Sequence, residues 1–269
     1  MVNKKLAPNF IVIGAAKSGT TSLYKFLDEK ESILMSKKKE TEYFSKNYNI
    51  KSFKWYLDQF ENLVDKKVSA VGEVCPQYAD IDNFNSAKLI KNDLGEIKIV
   101  YITSHPINRL KASWRHRYHK EKNKKDYDLS EIIKNKNNRF HKPYISASLY
   151  YHQIKPYIQE FESKNIKILF LEDLIDNPTK ELNDLLSFIG AEAEIASVQN
   201  FPNVNRSRKI SINSISSKSV YIKIKKIIKN TIPLYKLGLA PLKEQIKNGI
   251  PNFIRDGIYK NKLISFDKS

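Results

Sequence analysis

The 269-residue chain has one cysteine, Cys75, so no internal disulfide can staple it. No stretch approaches the roughly eighteen consecutive apolar residues that a membrane-spanning helix needs. Acids are scarce beside bases, 29 Asp and Glu against 47 Lys and Arg, and the formal net charge is +18. The five histidines, His105, His116, His119, His141 and His152, show no metal-site spacing, so no metal is expected. No zinc-finger spacing, RNP-type aromatic motif or helix-turn-helix signature accompanies the charge, and no specific nucleic-acid partner is expected. What is present is a core-forming composition, 41% hydrophobic and 11% aromatic, enough for one large domain or at most two. The N-terminal MVNKKLAPNF passes from two lysines into a strand-like run rather than a signal-peptide core, so a cytoplasmic protein is expected.

Residues 201–269 carry fifteen Lys and Arg against three acids, which places +12 of the net charge there. Such a field attracts nucleotides, acidic saccharides and anionic lipid alike. Within this region Tyr221–Lys229 alternates isoleucine with lysine, an amphipathic patch suited to the inner face of an anionic membrane. Upstream, strand and helix patterns alternate. Asn9–Gly14 is β-branched and apolar, and Thr21–Leu27 places Leu23, Phe26 and Leu27 as a helix would. Lys98–Thr103 precedes a basic amphipathic stretch, Ile107–Tyr118, and a helix over roughly Ala147–Phe161 precedes the strand Ile166–Leu171. This alternation implies a mainly parallel sheet. Lys120–Lys142 reads as a polar, mobile excursion.

Gly14-Ala-Ala-Lys17-Ser18-Gly19-Thr20-Thr21-Ser22 lies between the first strand and the first helix. It offers consecutive backbone amides, a helix N-terminus and a lysine, which suit a phosphate. It is not a standard Walker A loop, because the lysine precedes the last glycine. A tight turn with Ser and Thr as helix caps is the alternative.

Together with later segments, this loop resembles that of the sulfotransferases using 3'-phosphoadenosine 5'-phosphosulfate (PAPS), in the bacterial and carbohydrate branch similar to the heparan sulfate enzymes. Lys39-Glu40 with Tyr43-Phe44, Trp55-Tyr56 with Phe60, Gly72-Glu73-Val-Cys-Pro76-Gln-Tyr78, His105-Pro106-Ile-Asn-Arg109, Leu171-Glu172-Asp173-Leu174 with Asn177-Pro178, and Phe188-Ile189-Gly190 follow in the family's order. The resemblance covers about residues 9–205. It implies an α/β, P-loop-type three-layer fold with helices flanking a central mainly parallel sheet. The expected division is a domain over 1–205 and a basic, mostly helical extension over 206–269.

The resemblance also implies roles. Lys17 would stabilise the bridging oxygen of PAPS, while Ser18, Gly19, Thr20, Thr21 and Ser22 hold phosphate and sulfonate oxygens. Glu40 falls on the catalytic-base position, and Lys39 beside it would meet an anionic acceptor, although a lone Lys-Glu in so charged a stretch is otherwise a solvated turn. Glu73 is either a contact to substrate or a buried hydrogen-bonding partner. The Glu172-Asp173 pair is read as a cap or charge partner. The family holds the 3'-phosphate with an arginine two residues before the proline and a serine six after it. Here these positions are Ser104 and Ala112, which removes a bidentate charge-assisted contact. Ser104, Ser113 and Arg109 remain candidates, with Arg115 and Arg117 in the same basic stretch and a structural salt bridge as the alternative for Arg109, and Arg206 and Lys209 lie where a later basic loop contacts the cofactor.

The expected activity is therefore sulfuryl transfer from PAPS to a hydroxyl of a saccharide or glycoconjugate, with no metal. A sulfotransferase-like protein with a degraded cofactor site, binding anionic glycan or membrane, is one alternative. An atypical kinase is another, but Lys98–Ile102 ends in Thr-Ser-His without the strand-end Asp that would hold magnesium.

Overall fold

The computed structural model describes residues 6–61, 67–118, 129–191 and 201. Five strands form one sheet in the order β2-β3-β1-β4-β5, with β1 Phe10–Gly14, β2 Ile33–Met35, β3 Ala70–Val74, β4 Lys98–Thr103 and β5 Ile166–Phe170. Every pairing is parallel. Parallel neighbours require crossovers, and the helices that make them cover both faces of the sheet. These are α1 Thr20–Asp28, α2 Phe53–Leu57, α3 Ser86–Leu94, α4 Pro106–Tyr118, α5 Leu129–Lys134, α6 His141–Ser146, α7 Tyr150–Glu160, α8 Leu171–Asp176 and α9 Pro178–Ile189.

The period-two alternation of β1 divides the core. Phe10 and Val12 face a layer built from Leu23, Phe26 and Leu27 of α1 and Leu182, Leu185 and Leu186 of α9. Ile11 and Ile13 face the opposite layer, with Tyr43, Phe44, Tyr56, Phe60 and Tyr78. β3 obeys the same parity. Val71, Glu73 and Cys75 point into the aromatic layer, so the strand register carries a carboxylate into an apolar interior. On the other face, Gly72 lies opposite Phe10, and a methyl there would stand 2.4 Å from the ring.

The polar segment 120–142 differs from the expected excursion over its described part. Leu129, Ile132 and Ile133 form one face of α5 and pack on Ile107, Leu110 and Trp114 of α4 and Tyr144 of α6. Three apolar residues at helical spacing bury a face despite the surrounding lysines, each contributing about 1.5–3 kcal/mol. Residues 119–128 and the extension over 206–269 lie outside the described residues.

Candidate active site

In a parallel sheet the strand carboxyl ends share one edge, and ligands bind where the chain switches direction. Here β1 is that switch point: β3 and β2 lie on one side of it, β4 and β5 on the other. The loop 15–19 leaves the end of β1, residues 36–42 leave β2, and residues 104–109 leave β4. Most of the residues singled out from the sequence therefore collect at one edge.

The loop after β1 is fixed by its backbone. Ala15 N donates to Ile102 O at 2.6 Å, Ser18 N to Ala15 O at 3.1 Å, and Lys17 has φ 67°. Gly19 is the N-cap of α1 with φ 95°, a left-handed conformation that disfavours other residues, and no side chain caps the helix. The amides of Thr20, Thr21 and Ser22 consequently have no acceptor within the helix, and they point outward at its positive end. Thr20 and Ser22 are buried, Thr21 is half-buried, and Lys17 is exposed. A cluster of amides, hydroxyls and one ammonium presents donors to anionic oxygens, so the residues fit the phosphosulfate end of PAPS.

Ser18 and Ser104 bridge the switch point. Their hydroxyls are 3.0 Å apart and both side chains are buried. Tyr150, at the start of α7, donates to Ser104 O at 2.8 Å, and burial raises its phenol pKa. Arg109 is 1% exposed. Its Nη2 donates to Ser148 Oγ at 2.7 Å and Tyr144 O at 2.9 Å, and its Nε reaches Ser148 Oγ at 3.1 Å. Burial pushes this guanidinium below its ordinary pKa. Arg109 thus ties α4 to α6 and to the turn before α7 through a hydroxyl and a carbonyl, a structural role met without the salt bridge that was the alternative to a cofactor contact. Ser113 is half-buried on α4, and its carbonyl accepts from the Tyr144 hydroxyl at 3.4 Å. Glu172 Oε1 accepts from His105 N at 2.8 Å and so caps the entry to α4.

The segment after β2 carries Lys39 and Glu40, half-buried neighbours whose Nζ and Oε1 are 2.5 Å apart. Glu40 and Glu42 have φ of 63° and 54°, uncommon for residues with side chains, and Thr41 sits between them. Thr41 Oγ1 donates to Glu73 Oε2 at 2.7 Å, while the hydroxyls of Tyr56 and Tyr78 each donate to Glu73 Oε1 at 2.9 Å. Glu73 has no solvent exposure, and burial raises its pKa against the opposing pull of these hydroxyls. Both of its oxygens are engaged, which matches the buried-partner reading and leaves no face for direct substrate contact. The anchoring roles of Thr41 and Tyr150 carried no signal in the sequence, whereas Tyr56 and Tyr78 lay in motifs already noted. Arg206 and Lys209 lie outside the described residues. Among the described residues no group of His, Cys, Asp and Glu could hold a metal, and no helix is long and apolar enough to cross a membrane.

Comparison with known proteins agrees with this arrangement. The chain is 36% identical over 103 residues to a Dictyostelium discoideum protein named membrane-associated sulfotransferase kil1, covering 38% of this chain and 21% of that one. It is 21% identical over 203 residues to the Caenorhabditis briggsae bifunctional heparan sulfate N-deacetylase/N-sulfotransferase 1, covering 70% of this chain and 23% of that one. The chain therefore spans less than a quarter of the length of these relatives. The fold is shared with a sulfotransferase from Alicyclobacillus acidocaldarius, with TM-score 0.65, 21% identity, and coverage of 84% of this chain and 93% of that one. It is also shared with mouse sulfotransferase SULT7A1, solved in complex with PAP, with TM-score 0.52, 12% identity, and coverage of 90% and 89%. Residues 7–230 match the sulfotransferase domain, and the chain belongs to that family.

Proposed function

We propose that this chain transfers a sulfuryl group from PAPS to a hydroxyl of a saccharide or glycoconjugate. The observation that carries the reading is the uncapped start of α1 within a loop bearing Lys17, because it gathers anion-directed donors where two strands diverge. PAPS supplies a sulfuryl group already activated on a phosphate leaving group. The α1 amides, with the hydroxyls of Thr20, Thr21 and Ser22, bind the anionic oxygens. Lys17 meets the negative charge that grows on the departing oxygen, as in phosphoryl transfer. Glu40 takes the acceptor hydroxyl proton, and Lys39 orients its carboxylate and the incoming anion. In the balanced reaction the acceptor oxygen gains the sulfuryl group, the bridging bond to phosphate breaks, and the proton leaves on Glu40.

The excess of basic residues suits an anionic glycan, and one relative is named for heparan sulfate N-sulfotransfer. A further part of the proposal is that the protein works in the cytoplasm, at the inner membrane face, where the basic 206–269 region meets anionic lipid. The test is transfer of labelled sulfate from PAPS to O-desulfated, N-acetylated heparin, whose open positions are hydroxyls, in the presence of a chelator. The wild type is expected to label the polysaccharide, and Glu40→Gln is expected to lose at least about a hundredfold in rate while retaining the nucleotide. Full activity in Glu40→Gln would remove it from the base role.

A further inference from the structure

We infer that Tyr150 is a positioning residue for sulfuryl transfer: its hydroxyl, with those of Ser18 and Ser104, locks the loop that carries Lys17 onto the exit of β4. This rests on the phosphate-loop reading above. Tyr150 is the first residue of α7 and donates to Ser104 O at 2.8 Å. That bond uses the single phenol proton, so the phenol oxygen is left to accept. The hydroxyls of Ser18 and Ser104 lie 3.0 Å apart. Both are hydrogen-bonding partners of Tyr150; after the Arg109 guanidinium they lower its pKa, against the larger upward effect of burial. One serine donates to the other, and the remaining hydroxyl proton goes to the phenol oxygen. Three hydroxyls thereby join α7, the exit of β4 and the loop after β1 with every donor used.

The phenol itself has little freedom. Its ring meets that of Tyr101 on β4 edge to face, with centroids 6.1 Å apart and planes at 78°. Tyr101 Oη donates to Gln153 Oε1 at 2.5 Å, and Gln153 lies three residues along α7, on the same helix face as Tyr150. β4 thus holds α7, and α7 holds the loop. The loop needs such a hold. Ser18 N donates to Ala15 O at 3.1 Å, and the Ser18 side chain has no solvent exposure, so Ser18 acts on the loop rather than on an anion. Lys17 before it has φ 67°, a conformation that a residue with a side chain keeps only where its neighbours fix it. Gly19 after it is the N-cap from which the α1 amides start. Fixing Ser18 therefore sets both the ammonium and the amides. The ammonium is the more sensitive of the two, because it must meet the departing oxygen as charge develops there, and a displacement of about 1 Å can cost about a hundredfold in rate.

The experiment is a double-mutant cycle on the full chain with Tyr150→Phe, Ser18→Ala and their combination. Turnover is read as release of 3'-phosphoadenosine 5'-phosphate from PAPS, with O-desulfated, N-acetylated heparin or water as acceptor, and affinity for the released nucleotide is read by calorimetry. Each single variant is expected to lower kcat by about ten- to a hundredfold, while KM for PAPS and nucleotide affinity change by less than about threefold. The combination should be no slower than the slower single variant, because both remove the same lock. Tyr48→Phe, which removes a phenol bond to Asp93 Oδ1 of 3.1 Å elsewhere in the fold, should leave kcat unchanged. Should urea unfolding show that Tyr150→Phe does not fold, Ser104→Ala takes its place in the cycle with the same expectation. Losses that multiply in the combination, an unchanged kcat in Tyr150→Phe, or losses of kcat and nucleotide affinity in equal proportion overturn the inference and leave the phosphate loop standing. A wild type that binds the nucleotide without turning PAPS over also overturns it. A wild type that does not bind the nucleotide refutes the phosphate-loop reading itself.

Discussion

Replacing Glu73 tests whether the buried carboxylate fixes the turn that presents Glu40. Glu73→Ala leaves the Thr41, Tyr56 and Tyr78 hydroxyls without their shared acceptor and opens a cavity in the aromatic layer. Thr41 and Tyr78 stand 3.1 Å apart and can satisfy one another, so one to two orphaned groups remain. At about 1–3 kcal/mol each, plus the cavity, the loss is about 3–5 kcal/mol, a large part of the stability of a domain this size. Glu73→Gln keeps the volume and two acceptor directions and should cost less. Urea unfolding followed by the fluorescence of Trp55 and Trp114 measures both. The pH dependence has a defined sign. Burial raises the folded pKa of Glu73, so the protonated form is favoured in the fold. Wild-type stability relative to Glu73→Gln is then greatest below the ordinary glutamate range and falls as pH rises through the folded pKa. A difference independent of pH, or a loss under about 1 kcal/mol in Glu73→Ala, would refute the network. Because Thr41 lies between two residues of positive φ, loss of the anchor should also lower transfer more than nucleotide binding.

Gly72→Ala would set a methyl 2.4 Å from the Phe10 ring and should destabilise by about 1–3 kcal/mol or more, with Phe10→Leu in the same chain restoring part of the loss in urea unfolding. Asp173 has its pKa raised to about 6, first by burial and then by Glu181, Glu172 and Asp176. Its folded state favours the neutral acid, so the stability it contributes is full below about pH 4 and is lost as pH rises through about 6. Asp173→Asn should therefore melt higher than wild type at pH 7.5 and alike at pH 4, and equal melting at both would contradict the shift.

The central strands β1 and β4 were legible because both of their faces are buried: β4 lies at the expected Lys98–Thr103 and β1 agrees to within a residue. The edge strand β5, apolar at four of five positions, also agrees to within a residue. β2 has only three residues, too few to show a period, and β3 hides its strand character behind Gly72 and Glu73. α5 was masked by lysines around three apolar positions. At the site, the loop bearing Lys17 was readable from spacing alone, since amides and a helix start follow from chain order. The use of Arg109, the engagement of Glu73 by Thr41 and the contact between Ser18 and Ser104 depend on partners 32 to 86 residues away, which no local pattern encodes.

The most direct test of the account is calorimetric titration with 3'-phosphoadenosine 5'-phosphate in metal-free buffer, on wild type and on Lys17→Ala. The account predicts saturable micromolar binding in the wild type, weakened at least about tenfold in the variant by loss of the charged contact. Absence of binding in both, or equal binding in both, would contradict it.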